Sequence, residues 1–173
     1  MKPFSVMFQE AESNVIEYNG RIVFQCLKCT KPDNYTITIR SSSANSDEEQ
    51  LIRISTNFVG SLTINGNKVK KEKGVFSGIS ISEKGITDEM VINLELKEGC
   101  FIIFNESIPV DSKYTTSLIF GCAMNPVKID DGWFRIYCNE HKIDDDFDDL
   151  IFDIKVEAEN RIVDIIEEWQ PTY

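Results

Sequence analysis

An acidic run near the C-terminus is the densest group of side chains in this chain that could bind an ion or a partner. It reads HKIDDDFDDLIF and places five aspartates within six residues, directly before an apolar block. Asp144, Asp146 and Asp148 alternate as the first oxygen ligands of an EF-hand loop do. The sixth position of such a loop would be Asp149, where glycine is needed, and the twelfth would be Lys155, where glutamate is needed. The run is therefore not an EF-hand, and three interpretations remain: a weaker divalent-ion site, a solvated loop, or a surface for a basic partner.

The cysteines offer a second kind of chemistry, a zinc site. Cys26-x-x-Cys29 and Cys138-x-x-His141 each have the spacing of a zinc half-site, and together they form a Cys3His set that could close a tetrahedral centre. The two halves are far apart in the sequence, and neither contains the glycine usual in a zinc knuckle. Most of the five cysteines lie in apolar runs, where a free thiol behaves as a small hydrophobic side chain. We therefore expect reduced thiols and no cofactor, with the zinc site left as the alternative.

Catalytic motifs are absent from the sequence. His141 is the only histidine, which removes most nucleophilic schemes that need a histidine base. The chain also lacks a G-x-S-x-G elbow and both glycine-rich phosphate-binding motifs. Hydrolysis by a pair of carboxylates needs only two acids from anywhere in the fold and stays open. Our expectation is a protein that is not an enzyme.

The negative charge is concentrated at the C-terminal end. The formal net charge is −11, and residues 130–173 carry 14 acids against 4 Lys and Arg, a net −10. A field of this sign repels phosphate backbones and anionic lipids and attracts basic proteins. No secretory signal or membrane span is evident in the sequence. These features predict a cytoplasmic protein that binds neither nucleic acid nor membrane directly.

The candidate partner surface combines these acids with nearby aromatic residues. Acceptor-only carboxylates suit a basic cleft, and aromatic residues anchor many protein interfaces. The predicted partner-binding residues are Trp133, Tyr137, Glu140, Asp144, Asp145, Asp146, Phe147, Asp148 and Asp149.

The elements that must position these residues read as β-strands. Short runs rich in Ile, Val, Phe and Thr recur about every ten residues. Asn19-Gly20, Asn65-Gly66 and Asp131-Gly132 each separate two such runs with the chemistry of a type I′ hairpin turn. The pattern predicts one domain over residues 1–173, all-β and mainly antiparallel, built as a two-sheet β-sandwich or a partly closed barrel.

The C-terminal segment from Phe147 onward allows two interpretations. Leu150, Phe152, Ile154, Val156 and Ala158 alternate strictly, which predicts a strand that turns at residues 159–160. Residues 160–169 fit either a returning strand or a short C-terminal helix, because their apolar positions match both periods.

A small, acidic chain without catalytic motifs resembles the bacterial immunity proteins that neutralise toxins of contact-dependent inhibition and related systems. The resemblance is one of overall character and depends on the acidic segment from Glu140 to Asp149. It implies binding over the basic active site of a cognate toxin, often a nuclease, so that substrate cannot enter. The alternative is an accessory or ligand-binding β-sandwich, for carbohydrate or peptide, in which Trp133 and Tyr137 form the contact platform.

Overall fold

Alternating apolar residues fold the chain into two antiparallel sheets packed as a sandwich, as the sequence predicts. The computed structural model describes residues 2–56, 60–71, 78–114, 122–140, 144 and 146–169. In this part of the chain the sheets do not close into a barrel, so the first of the two predicted architectures is the one found.

The larger sheet has the strand order β1-β2-β11-β12-β13-β4-β9-β6-β7, and β14 pairs with β13. The bounds of its strands are β1 (Val15–Tyr18), β2 (Arg21–Phe24), β4 (Asp33–Ser43), β6 (Leu62–Ile64), β7 (Asn67–Lys68), β9 (Glu89–Leu96), β11 (Ala123–Asp130), β12 (Trp133–Asn139), β13 (Leu150–Ala158) and β14 (Arg161–Ile162).

The smaller sheet has the order β3-β10-β5-β8. Its strands are β3 (Leu27–Cys29), β5 (Glu49–Thr56), β8 (Ile79–Ser82) and β10 (Phe101–Ile108). A 3-10 helix over Glu83–Gly85 follows β8.

The main core lies between the sheets. The alternating residues of β13 are buried, and they join Phe101 and Ile103 of the smaller sheet in one apolar cluster. Phe101 makes edge-on ring contacts with Tyr35, at 5.3 Å between centroids, and with Trp169, at 5.6 Å. Contacts of this kind fix how the two sheets lie on each other.

All three predicted hairpins form, but only two have the predicted turn. Asn19 and Gly20 have φ of 50° and 74°, and the Asn65-Gly66 turn is similar, as type I′ requires. At Asp131-Gly132 only Gly132 has a positive φ, 72°, and the strand register shifts between Lys128 and Asp130. The type I′ prediction is wrong there, because a bulge in β11 changes the twist that the turn must match.

Both interpretations of the C-terminal segment hold in part. The chain turns at residues 159–160 and returns as β14, which is the predicted hairpin. A one-turn helix, α2 (Ile165–Glu168), then follows. The side chain of Asp164 caps it by accepting hydrogen bonds from the N–H groups of Ile166 and Glu167.

An N-terminal helix, α1 (Phe4–Glu10), was not predicted. Phe4 and Phe8 lie one turn apart and are both buried. They form a second apolar cluster with Val23, Ala123 and Phe147, under the larger sheet's β2 and β11 end. The spacing of the two phenylalanines is the sequence signal for this helix.

Candidate partner-binding surface

The ends of the acidic segment are fixed inside the protein. Glu140 is fully buried, and its Oε2 accepts hydrogen bonds from Gln50 Nε2 and Ser46 Oγ, each at 2.8 Å. The backbone N–H of Glu140 donates to Asp149 Oδ2 at 2.8 Å. Asp149 is itself only 5% exposed. These two carboxylates therefore shape the loop and do not face solvent.

Phe147 anchors the middle of the segment. Its side chain is buried, and its ring contacts Phe4 edge-on at 5.3 Å between centroids. The guanidinium of Arg21 lies 5.2 Å from the same ring centroid. Phe147 has a φ of 58°, and Asp146 and Asp148 on either side of it are more exposed than it is. The buried ring of Phe147 thus anchors the acidic loop. The sequence alone did not indicate that this ring is buried.

A groove of about 220 Å³ lies beside the Phe147 ring. It is lined by Arg21, Asn125, Tyr137, Asp146, Phe147, Asp148 and Ile151.

The groove brings four of the predicted partner residues together. Asp146 is exposed and Asp148 is half-buried, with Asp148 Oδ2 accepting a hydrogen bond from Asn45 Nδ2 at 2.9 Å. Tyr137, on the rigid strand β12, forms one wall. Arg21 places one positive charge beside the acids, a position that could not be predicted because Arg21 lies far from them in the sequence. The groove therefore offers carboxylates and an aromatic wall on a fixed frame.

Trp133 lies on the same strand, four residues from Tyr137. The Arg40 guanidinium lies 3.7 Å from the centroid of the Trp133 ring and occupies one face of it. On β13, which lies between β12 and β4, Asp153 is 3% exposed and accepts hydrogen bonds from Arg135 Nε at 2.8 Å and Nη2 at 3.1 Å. This bidentate pairing raises the pKa of Arg135 above its usual range. The cross-strand partners Arg40 and Asp153 could not be paired from the sequence, because strand order was unknown.

The predicted residues thus fall into three groups. Asp146 is exposed, while Trp133, Tyr137, Asp144 and Asp148 are half-buried. Glu140, Phe147 and Asp149 are buried and support the others. Asp145 lies outside the described residues, as does His141 of the zinc alternative.

One group of possible metal ligands occurs in the part of the chain that the structure describes. Asp144, Asp146 and Asp149 each offer an oxygen, and these atoms lie within 4.8 Å of one another. Such oxygens could hold a divalent cation, although acidic groups also cluster without one. Among the same residues, Cys26, Cys29 and Cys138 are not gathered into a ligand group. Burial raises the pKa of each of these three thiols.

Asp149 should make stability depend on pH. Burial, together with repulsion from Glu140, Asp144 and Asp146, outweighs its bond from the Glu140 N–H and raises its pKa from an ordinary 3.8 to about 7. A raised folded-state pKa means that the proton on Asp149 stabilises the fold below about pH 4, and this contribution is lost as the pH rises through 7.

Asp149→Asn should therefore be less sensitive to pH. The amide oxygen can still accept the Glu140 N–H, and the cost of burying a charge disappears. We expect the unfolding free energy of the variant minus that of wild type to increase by on the order of 1–3 kcal/mol from pH 5 to pH 8, because only the wild type loses a stabilising proton. Urea unfolding at both pH values measures this increase. A difference that is the same at pH 5 and pH 8 would refute the raised pKa of Asp149.

No protein-family model matches the chain, and neither a curated protein nor a solved structure matches it. No helix in the described ranges is long and apolar enough to cross a membrane.

Proposed function

We propose that the protein is an acidic inhibitor of the immunity type, which binds the basic active site of a cognate toxin and keeps substrate out. A nuclease is the expected target, since its phosphate-binding cleft carries the Lys and Arg that such an inhibitor would contact. The observation that carries the proposal is the groove in which Tyr137 lies beside Asp146 and Asp148.

Rigidity supports this assignment. Phe147, Glu140 and Asp149 make buried contacts on either side of Asp146 and Asp148, so these two aspartates need little ordering when a partner binds. Preorganisation of this kind reduces the entropic cost of association. The strand that carries Tyr137 and Trp133 is paired on both sides, with β11 and β13, and gives the aromatic residues a fixed frame.

Charge and aromatic contacts have separate roles in this mechanism. The net −10 of residues 130–173 attracts a basic partner and raises the association rate. Once the partner is in place, Tyr137 provides a contact that slows its release, as aromatic hot spots do. The carboxylates of Asp146 and Asp148 then pair with the Lys or Arg that would otherwise bind phosphate.

The accessory or ligand-binding alternative is less well supported at this surface. A sugar ring would need a free aromatic face, and the Arg40 guanidinium occupies one face of Trp133 at 3.7 Å. Tyr137 is left as the main platform, and the acids beside it favour a cationic partner over a neutral sugar.

The test is capture of the partner from the source organism at low and at high salt. We expect a basic protein that is retained at low salt and released at high salt, and whose toxic activity the chain suppresses. Retention of only neutral or acidic proteins, or of glycans, would refute the inhibitor assignment.

Tyr137→Ala should weaken binding of that partner by about 30-fold, the effect of losing an interface hot spot. Tyr137→Phe keeps the ring and is the matched control, with an expected change of less than about 5-fold. Surface plasmon resonance separates the rates, and the loss should lie mainly in a faster dissociation. Equal dissociation rates for Tyr137→Ala and wild type would place the contact elsewhere.

A further inference from the structure

A second cavity lies at the end of the sandwich away from the acidic loop. Its volume is about 680 Å³, within the range of small-molecule sites. Tyr35, near the start of β4, lines it, whereas the acidic loop contacts the chain just beyond the other end of β4, where the Asn45 N–H bonds Asp149 O. The two places are separated by roughly 25–30 Å along that strand.

The floor of this cavity is apolar. Ile102 is half-buried and contributes an aliphatic side chain, while Tyr35 and Trp169 are nearly fully buried and contribute only the small exposed parts of their rings. The Tyr35 hydroxyl donates to the Lys31 carbonyl oxygen at 2.7 Å, so its polar end is satisfied within the chain. The surface that faces the cavity is thus more apolar than polar.

The rim is positive in a strongly acidic protein. Lys28 and Lys31 line the cavity and are exposed, and neither ammonium group is paired with an acid in the described part of the chain. The remaining charges at the rim cancel, because Arg161 is bound to Glu168 at 2.6 Å. Two net positive charges beside an apolar lining are complementary to an anion that carries a hydrocarbon chain.

The thiols at this site do not oppose an anion. Cys26 and Cys29 line the cavity, and burial raises the pKa of both. They are therefore uncharged at neutral pH and add to the apolar lining.

We propose that this cavity binds an amphipathic carboxylate, with its hydrocarbon part against Ile102 and the exposed parts of the Tyr35 and Trp169 rings, and its carboxylate between Lys28 and Lys31. The site is independent of the inhibitor function, since it shares no residue with the acidic groove. Each lysine contributes as a point charge at the mouth, and the apolar part of the lining as a whole provides most of the contact area.

Calorimetry with three probes of equal chain length tests the proposal: octanoate, octanol and octylammonium. We expect octanoate to bind at least 10-fold more tightly than octanol, and octylammonium to give no measurable heat. Lys28→Glu/Lys31→Glu should weaken octanoate at least 30-fold. Lys68→Glu/Lys113→Glu makes the same charge change at exposed lysines elsewhere and should leave the affinity within 2-fold.

The location is tested by alkylation of Cys100, which is partly exposed and lines the cavity. Saturating octanoate should slow its modification by iodoacetamide at least 5-fold, as followed by mass spectrometry of the cysteine-containing peptide. The proposal is overturned if octylammonium binds as well as octanoate, if the Lys28/Lys31 variant retains the affinity, or if Cys100 is not protected.

Discussion

Phe147→Ala is expected to lower the free energy of unfolding by about 3–5 kcal/mol, the usual cost of removing a buried phenylalanine ring. The ring is 1% exposed and lies in the second apolar cluster, against Phe4 and under Arg21. Loss of the Phe147 ring leaves a cavity where the acidic loop packs against the protein. The main core between the sheets does not contain this residue and should stay intact. Chemical denaturation monitored by circular dichroism measures the change.

Two variants control this prediction. Phe147→Leu retains most of the buried hydrocarbon and should cost about 1–2 kcal/mol less than Phe147→Ala. Tyr114→Ala removes an aromatic ring that is 82% exposed and should change stability by less than about 0.5 kcal/mol. If Phe147→Ala cost no more than Tyr114→Ala, the ring would not be the anchor described above.

Asp146→Lys/Asp148→Lys is expected to weaken binding of the captured partner by at least about 100-fold. The substitution replaces two carboxylates beside Tyr137 with two ammonium groups, so a basic cleft that was attracted is now repelled. The effect on folding should be small, because Asp146 is exposed and Asp148 contributes one side-chain bond, to Asn45.

The matched control is Glu98→Lys/Glu159→Lys. It produces the same change in net charge at exposed acids, and both lie near the Asp33 end of β4, far from the groove. We expect less than about 5-fold weakening, through the long-range field alone. Equal losses for the two double variants would mean that total charge, and not the groove, governs binding.

The strands were predictable because their signals are local. Alternation in β13 and the Asn-Gly turns at residues 19–20 and 65–66 depend on neighbouring residues only. The segment that contains β14 and α2 has apolar residues whose spacing fits both a strand and a helix. The Asp164 cap sets where the helix begins. Local rules therefore gave the class of fold and most of its hairpins.

The site was only partly predictable, because burial depends on contacts between distant segments. Phe147 looks in the sequence like an exposed aromatic among acids, yet Phe4, more than 140 positions earlier, covers it. Glu140 looks like one more surface carboxylate, but Gln50 of β5 holds it inside. Arg40 reaches Trp133 because β4, β13 and β12 are neighbours in the sheet, a strand order that no local pattern contains.

The salt dependence of the dissociation constant tests the central claim most directly. Binding of the partner to wild-type protein, measured between about 50 and 500 mM NaCl, should weaken steeply as ions screen the acidic groove. Asp146→Lys/Asp148→Lys should show a much shallower dependence, while Glu98→Lys/Glu159→Lys keeps nearly the wild-type slope. A dissociation constant for the wild type that does not change with salt, or equal slopes for all three proteins, would contradict the assignment of this groove as the binding site for a basic partner.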